Sequence, residues 1–361
     1  MVWKTIESRG SGMAKKPKDK EMFHIAEWYG LPFLDLTDAD RLRLGKFKAS
    51  GSMLNKSEMK RILDLRAKSK LGPLTATEQK RLADLEARLS ALQTTQMPCP
   101  FRTDTPFPFC NKPGGVCSMR LYQEAPGGGI QPVSGKRAYI RGMCPVRYQE
   151  NNTVAKHIGQ DLLSDPNPFQ VGEVGFLEST GNLDSDPGQS VGNIDMVLAA
   201  TNTPVGHPMK WAAVEVQAVY FSGKEMGKEL TAIANNGGQL AMPNEGRRPD
   251  YRSSGPKRLM PQLQIKVPTL RRWGRKMAVV VDIAFFESMG KMREVPDVSN
   301  CDIVWYLVDF VQSAPGAAYE LKVVDRRLTT LEHSIEGLTG GIPVAMGEFE
   351  GTIGAKMNAG P

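Results

Sequence analysis

Two short apolar runs define the centre of this fold: Val191-Gly-Asn-Ile-Asp195-Met-Val-Leu-Ala-Ala200 and Ala212-Ala-Val-Glu215-Val-Gln217-Ala-Val-Tyr-Phe221. Runs of this length that are rich in β-branched and aromatic residues are typical of β-strands. Successive side chains of a strand alternate between its faces, so Glu215 and Gln217 are expected on one face and their valine neighbours on the other. The two runs therefore predict neighbouring strands that carry acidic side chains in an otherwise apolar setting.

Three further apolar runs predict strands on either side of this pair. They cover residues 171–177, 277–286 and 303–311. Because helical patterns separate the later runs, we predict an α/β fold with a mixed β-sheet core flanked by helices.

Two helices are predicted between the runs that end at Phe221 and begin at Met277. The first is expected to open with a capping box of Ser222 and Glu225 and to end at Gly237-Gly238. The second, at about 260–274, contains Pro268 and is expected to kink or restart there. Residues 235–257 are rich in Gly, Pro and Arg, and their length predicts a mobile functional loop.

The N-terminal part has a different pattern. Residues 1–20 are polar and lysine-rich, which predicts a flexible leader, and 23–30 is expected to be a short amphipathic helix. Helical patterns at 56–70 and 77–93 flank Gly72-Pro73 and predict an N-terminal helical hairpin. The second helix is expected to begin with a capping box of Thr75 and Glu78. Its apolar face carries Leu82, Leu85, Leu89 and Leu92.

Charge is concentrated in this hairpin. Residues 41–91 hold 13 Lys and Arg against 5 Asp and Glu, a larger surplus than the net charge of +7 of the whole chain. A basic surface of this kind suits a polyanion such as DNA. A well-solvated hairpin with no partner explains the same charges, and composition alone leaves both interpretations open.

The composition excludes several classes of protein. The longest apolar candidate, 277–286, is interrupted by Asp282, so no membrane-spanning helix is expected. The N-terminus is too polar for a signal peptide, and a cytoplasmic protein is the expectation. An apolar content of 40% is that of a globular chain.

Four of the five cysteines fall in the Pro- and Gly-rich segment 96–147. Cys99, Cys110, Cys117 and Cys144 have the spacing C-x10-C-x6-C-x26-C, which matches no standard zinc-finger template. Four thiolates around one tetrahedral ion would stabilise a segment that has too few apolar residues to fold by burial. Zinc and iron both suit such a site. Reduced core cysteines or two disulfides are the alternatives, although disulfides conflict with a cytoplasmic chain.

The acidic residues of the two central strands predict a second site. A carboxylate inside an apolar strand is costly to bury unless it is paired or binds a metal. Asp195 and Glu215 on neighbouring strands offer the all-oxygen ligands that Mg²⁺ prefers, and such a site can activate water for hydrolysis of a phosphodiester. The pattern Asp…Glu-x-Lys is the signature of PD-(D/E)XK nucleases, but Gln217 stands here in the Lys position. Taken alone, the motif is weak, because most such pairings in an arbitrary sequence are surface acids.

The two sets of residues, in this order, resemble the NotI family of type II restriction endonucleases. The similarity is carried by 23–30, by Cys99-Pro-Phe, Gly115-Val-Cys and Cys144-Pro-Val-Arg, and by Gly172-Glu-Val, Ile194-Asp-Met and Val214-Glu-Val-Gln-Ala. The basic hairpin at 41–93 and the cysteine spacing depart from the family pattern.

The resemblance implies a function and a set of site residues. It implies sequence-specific double-strand cleavage of DNA, with Mg²⁺ as the catalytic metal and a structural iron, or zinc, on the four cysteines. The implied catalytic set is Glu173, Asp195, Glu215 and Gln217, with Asp195 and Glu215 as the Mg²⁺ ligands. Glu178 is the alternative to Glu173. A homodimer that reads a G·C-rich palindrome is also implied.

Basic and amide side chains after the central strands are the candidates for contact with DNA, to bases or to phosphates. They are Arg247, Arg248, Arg252, Lys257, Arg258, Gln262, Gln264, Arg271 and Arg272. The predicted domains are 1–95 with the leader, short helix and hairpin, 96–150 with the cysteine segment, and 151–361 with the nuclease core and a C-terminal extension. The rival interpretation is a non-catalytic DNA-binding regulator with a four-cysteine metal module. An iron–sulfur nuclease is disfavoured because all four cysteines precede the core.

Overall fold

The computed structural model describes residues 21–47, 54, 56–102, 108–181, 186–223, 225–340 and 344–358. The predicted leader at 1–20 lies outside these residues. The strands are β1 Met22–Trp28, β2 Leu31–Pro32, β3 Val116–Glu124, β4 Ile130–Pro132, β5 Arg141–Gly142, β6 Phe169–Val171, β7 Val174–Glu178, β8 Ser190–Ile194, β9 Met196–Ala199, β10 Trp211–Val216, β11 Phe221–Ser222, β12 Arg248–Pro249, β13 Met277–Asp282, β14 Ile303–Gln312 and β15 Tyr319–Thr329. The helices are α1 Asp38–Gly45, α2 Lys56–Leu71, α3 Ala76–Thr95, α4 Thr153–Ile158, α5 Met226–Asn235, α6 Tyr251–Ser254, α7 Met260–Arg272, α8 Ile283–Glu287, α9 Leu331–Thr339 and α10 Met346–Asn358.

The central sheet has six strands in the order β15-β14-β13-β10-β9-β6. Strand β13 runs parallel to β10 and β14, whereas the other neighbours are antiparallel, so the predicted mixed sheet is confirmed. Apolar cores lie on both faces. Val214 and Val216 face one core with α4, while Ala213 faces the other with α7. This alternation confirms the predicted facing of the valines around Glu215.

A second sheet contains β1 to β5, with β1 and β3 at its centre. The helix predicted at 23–30 is wrong, because these residues form β1 and pair with β3 from Met22↔Tyr122 onward. The strand is buried on both faces, and a segment buried on both faces has no polar stripe that would separate strand from helix. Residues far apart in the sequence thus build one sheet around the cysteine segment.

The predicted helical hairpin is confirmed as α2 and α3. The capping box is present, since the Thr75 hydroxyl accepts from the Glu78 amide and the Glu78 carboxylate accepts from the Thr75 amide. Leu85 and Leu89 are buried against α2, whereas the side chain of Leu92 lies outside the described residues. Ion pairs Arg88–Glu58 and Lys68–Glu78 join the two helices and show that they run antiparallel.

Several predicted boundaries are displaced. The run 171–177 is divided into β6 and β7, the run 191–200 is interrupted at Asp195, and β10 ends at Val216 instead of continuing to Phe221. The run 277–286 changes from strand to helix after Asp282, whose carboxylate accepts from the Phe285 amide and caps α8. At each break the hydrogen bonds between strands give way to a bend or to a helix cap. The pattern of apolar residues does not reveal where this happens.

The helices after β10 also differ from the prediction. Helix α5 begins without a side-chain cap, so the capping box of Ser222 and Glu225 is wrong. Helix α7 continues through Pro268 as one element. The predicted loop at 235–257 is shorter than expected, because β12 and α6 occupy its second half. Among the helices that the structure describes, none is long and apolar enough to span a membrane.

Candidate active site

The carboxylates of Asp195 and Glu215 meet at the end of the β9–β10 pair. Met196 is the register partner of Val214, so Asp195 and Glu215 are the next residues on the two antiparallel strands. Asp195 lies at the bend between β8 and β9, and its side chain is 60% exposed. Glu215 is buried on the face of the sheet that α7 covers. The pair therefore has one desolvated and one solvent-facing carboxylate.

Gln217 follows Glu215 on the same face and is also buried. Its side-chain Nε2 donates to the carbonyl of Ala218 at 2.7 Å. Its backbone amide donates to the carbonyl of Val280 on the neighbouring strand β13. The side-chain amide is therefore bound to the backbone beside Glu215 and contributes no charge.

Strand register separates the two candidates for a third acid, Glu173 and Glu178. Val174 of β7 pairs with Ile194 of β8, so Glu173 is the neighbour of Asp195 across this hairpin. Glu178 pairs with Ser190 at the opposite end of the same two strands. Both glutamates are exposed, but only Glu173 lies at the end that carries Asp195.

Lys266 joins this site from α7, and sequence reasoning did not identify it. Its Nζ lies 2.7 Å from Glu215 Oε2 and 3.6 Å from Asp195 Oδ1. The residue could have been found by its position, since Leu263, Lys266, Val267 and Leu270 form one helical stripe and a lysine in such a stripe is unusual.

Burial dominates the electrostatics of Glu215. Desolvation raises the pKa of its carboxyl to about 7. The charge of Asp195 also raises this pKa, whereas the ion pair with Lys266 lowers it. A pKa near neutrality is a property of many catalytic carboxylates. Among the residues that the structure describes, no three His, Cys, Asp or Glu side chains converge closely enough to hold a metal ion.

Backbone pairing joins the four cysteines of the N-terminal segment in two couples. The Cys110 amide donates to Met97 and the Cys99 amide to Pro108, so the two cysteines lie on adjacent chain segments. The Cys144 amide donates to the Cys117 carbonyl at 3.2 Å. All four are buried free thiols. Backbone hydrogen bonds thus place the cysteines in two couples, and a metal site on all four stays a prediction.

The thiols influence one another electrostatically. Burial, followed by interactions that include Cys99 and Cys144, raises the pKa of Cys110 to about 11. The pKa of Cys117 is raised further, again first by burial and in part by Cys144 and Cys110. Thiols with raised pKa values are poor nucleophiles, so this cluster is not suited to covalent catalysis. Cys301 is separate and buried, as expected, with its thiol donating to Val298.

The candidates for DNA contact differ in exposure. Arg247 is buried and forms an ion pair of 2.9 Å with Glu229, which argues against a direct contact with DNA. Arg258 is exposed and stacks on Tyr220. Arg271 is bound to Asp302 and Glu332 at the surface. The remaining candidates are exposed: Arg248, Arg252, Lys257, Gln262, Gln264 and Arg272.

The described residues thus form an α/β protein with paired carboxylates on neighbouring strands of a mixed sheet. Residues 83–321 match the family model described as restriction endonuclease NotI. The chain therefore belongs to the NotI family of restriction endonucleases, and DNA is its substrate. The matched range begins after β1, so the proposed similarity at 23–30 lies outside it. A comparison with curated proteins found no match.

Proposed function

We propose that this restriction endonuclease is a type II enzyme with a PD-(D/E)XK core that makes sequence-specific double-strand breaks by Mg²⁺-dependent hydrolysis. The observation that carries the proposal is the adjacency of Asp195 and Glu215 across β9 and β10. Two acids in register at the end of a strand pair can both supply carboxylate oxygens to one hard metal ion, which supports the proposal.

The donor chemistry of the site fits Mg²⁺. Asp195 and Glu215 supply hard carboxylate oxygens, and Glu173 is the next acid by register. In the proposed site Asp195 and Glu215 are the ligands, and Glu173 holds a second ion or a coordinated water. When bound, Mg²⁺ would polarise the scissile phosphate and lower the pKa of water.

The protein side chains have separate parts in the proposed reaction. Gln217 orients the attacking water through its amide, which is uncharged and cannot by itself stabilise a developing hydroxide. The oxygen of that water bonds to phosphorus while the bond from phosphorus to one bridging oxygen breaks. One proton leaves the water and one is taken up by the leaving oxygen, so hydrolysis needs no further reactant.

The four-cysteine cluster is proposed to bind a structural iron or zinc ion. Its chemistry fits a soft tetrahedral ion, because four buried thiols come from two backbone-paired couples. Its cysteines belong to the segment around the β1–β5 sheet, whereas Asp195 and Glu215 lie on the central sheet, so we assign the cluster no role in hydrolysis.

Recognition of DNA is proposed to use the exposed basic and amide side chains around α6 and α7. Side chains such as Arg258 and Gln262 can reach guanine or adenine edges in the major groove. A homodimer would match its twofold axis to a palindromic site, which the resemblance suggests is G·C-rich.

Cleavage of plasmid and phage DNA tests the proposal. Asp195→Asn and Glu215→Gln should each lower the cleavage rate by at least about 100-fold. Each variant replaces a charged carboxylate ligand by a neutral amide of nearly the same size. Glu178→Gln is the matched control and should cut normally. Discrete bands with Mg²⁺ and none with EDTA are expected. Robust cutting by Asp195→Asn would refute the proposed site, and DNA binding without cutting by the native protein would favour the non-catalytic regulator instead.

A further inference from the structure

Helix α7 buries a lysine and exposes an isoleucine beside it. Lys266 is 2% exposed, whereas Ile265 is 52% exposed. Burial of an ammonium is costly, and apolar neighbours on the same stripe, Leu263 and Val267, give no compensation. The orientation of the helix is therefore not explained by apolar packing alone.

The compensation comes from the two carboxylates. The ammonium of Lys266 lies 2.7 Å from Glu215 Oε2 and 3.6 Å from Asp195 Oδ1. It contacts the exposed member of the pair as well as the buried one, so it lies between the sheet interior and the side of the site that faces solvent. The ammonium therefore borders both carboxylates at which the substrate phosphate is proposed to bind.

The strand motif lacks a charge that this lysine restores. In the Asp…Glu-x-Lys pattern the two acids are balanced by one ammonium, but Gln217 is neutral and donates to the backbone of Ala218. With Lys266 included, the site again contains two carboxylates and one ammonium. The positive charge reaches it from a helix instead of the strand.

We infer that Lys266 is a catalytic residue of this endonuclease, whose ammonium contacts the attacking water and the scissile phosphate and stabilises negative charge as the water oxygen bonds to phosphorus. This inference rests on the proposed function of the carboxylate pair. A fixed positive charge at this place stabilises charge that develops in the transition state. The alternative is that Lys266 only neutralises buried Glu215, and the two roles make different predictions.

The test removes the positive charge of Lys266 and places a lysine at position 217 of the strand motif instead. Lys266→Met and the double variant Lys266→Met/Gln217→Lys are compared with the native chain in single-turnover cleavage at saturating Mg²⁺. DNA binding in EDTA and the midpoint of thermal unfolding are measured on the same samples. Lys322→Met, an exposed lysine on β15, is the matched control and should behave as the native chain.

We expect Lys266→Met to bind DNA normally and to cut at least about 100-fold more slowly. The double variant Lys266→Met/Gln217→Lys should cut at least about tenfold faster than Lys266→Met alone. Cleavage by Lys266→Met within about threefold of the native rate overturns the inference. A loss that Gln217→Lys fails to reverse also overturns it and assigns Lys266 to holding Glu215.

Two further outcomes are separated by design. If Lys266→Met does not fold, the double variant is compared with the native chain in both cutting and unfolding midpoint. A folded protein that does not cut overturns the inference. Cutting supports it when the midpoint stays below that of the native chain, because the lysine introduced by Gln217→Lys then acts on the reaction and not by restoring the pair with Glu215. If Asp195→Asn cuts DNA, the proposed carboxylate site itself fails, whatever the result for Lys266.

Discussion

The guanidinium of Arg147 forms an ion pair of 2.9 Å with the carboxylate of Glu27, and both side chains are completely buried. Arg147 also donates to the Tyr319 carbonyl of β15 at 2.7 Å. The pair therefore joins β1, the segment after Cys144, and the edge strand of the central sheet. A buried charge pair thus contributes to the contact between two sheets that are distant in the sequence.

Removing one member of this pair should be costly. Arg147→Met leaves Glu27 buried without its counter-ion, and we expect a loss of about 3–5 kcal/mol in the free energy of unfolding, measured by urea denaturation. Arg326→Met breaks an exposed pair with Asp161 and should cost less than about 1 kcal/mol. Equal losses of unfolding free energy in the two variants would show that the Arg147–Glu27 pair does not stabilise the contact between the two sheets.

Metal on the cysteine cluster should be measurable by elemental analysis. Cys117→Ser removes one proposed ligand, so we expect lower iron or zinc content and a lower unfolding midpoint. Cys301→Ser is the matched control, because this buried thiol is separate from the cluster, and its metal content should equal that of the native chain. Purified native protein that contains no iron or zinc would contradict the proposed site.

Stability should depend on pH through His24. The imidazole is buried, and desolvation, then the charges of Arg247 and Arg41, lower its pKa from 6.5 to about 3. The unfolded chain binds a proton below about pH 6.5 that the folded chain does not bind. Stability contributed by neutral His24 is thus present above that pH and lost as pH falls toward 3.

The measurement compares unfolding of the native chain and His24→Leu between pH 7 and pH 4. Nδ1 of His24 has no hydrogen-bond partner among the residues that the structure describes, so leucine removes no bond found there for that atom. The difference between the two curves should grow in favour of leucine by up to about 1.4 kcal/mol per pH unit below 6.5. Parallel curves would show that His24 is accessible to protons in the folded state.

The basic hairpin should contribute to DNA affinity through phosphates. Lys60 and Arg81 are exposed on α2 and α3. Replacing both by Gln should weaken DNA binding uniformly across sequences and reduce the salt dependence by about one unit of slope for each phosphate that the hairpin no longer neutralises. An unchanged slope would support the solvated hairpin, which the charge pattern left open. Lys322→Gln on β15 controls for the reduced net charge.

Much of the fold was predictable from local pattern. The apolar runs identified β10, β13 and β14, and the capping box of Thr75 and Glu78 located the start of α3 almost to the residue. These features depend on neighbours within a few positions, and short-range periodicity records them directly. The acids Asp195 and Glu215 were recognisable for the same reason, since each interrupts an apolar run.

Other features depended on contacts between distant residues. The segment 23–30 is a strand because β3, about ninety positions later, supplies its hydrogen-bond partners, and Glu27 is tolerated inside because Arg147 reaches it. Periodicity cannot contain this information, because the energy that decides strand against helix comes from the partner.

The sequence by itself determined the two acidic strands, the hairpin and the set of four cysteines, because each is written in local spacing. Only the tertiary structure decided that Glu173 is the acid beside Asp195, that Arg247 is internal, and that Lys266 enters the site. The physical reason is that register and helix rotation are chosen by burial over the whole molecule. The role of Lys266 in the apolar stripe of α7 can be inferred only when the positions of the carboxylates of Asp195 and Glu215 are known.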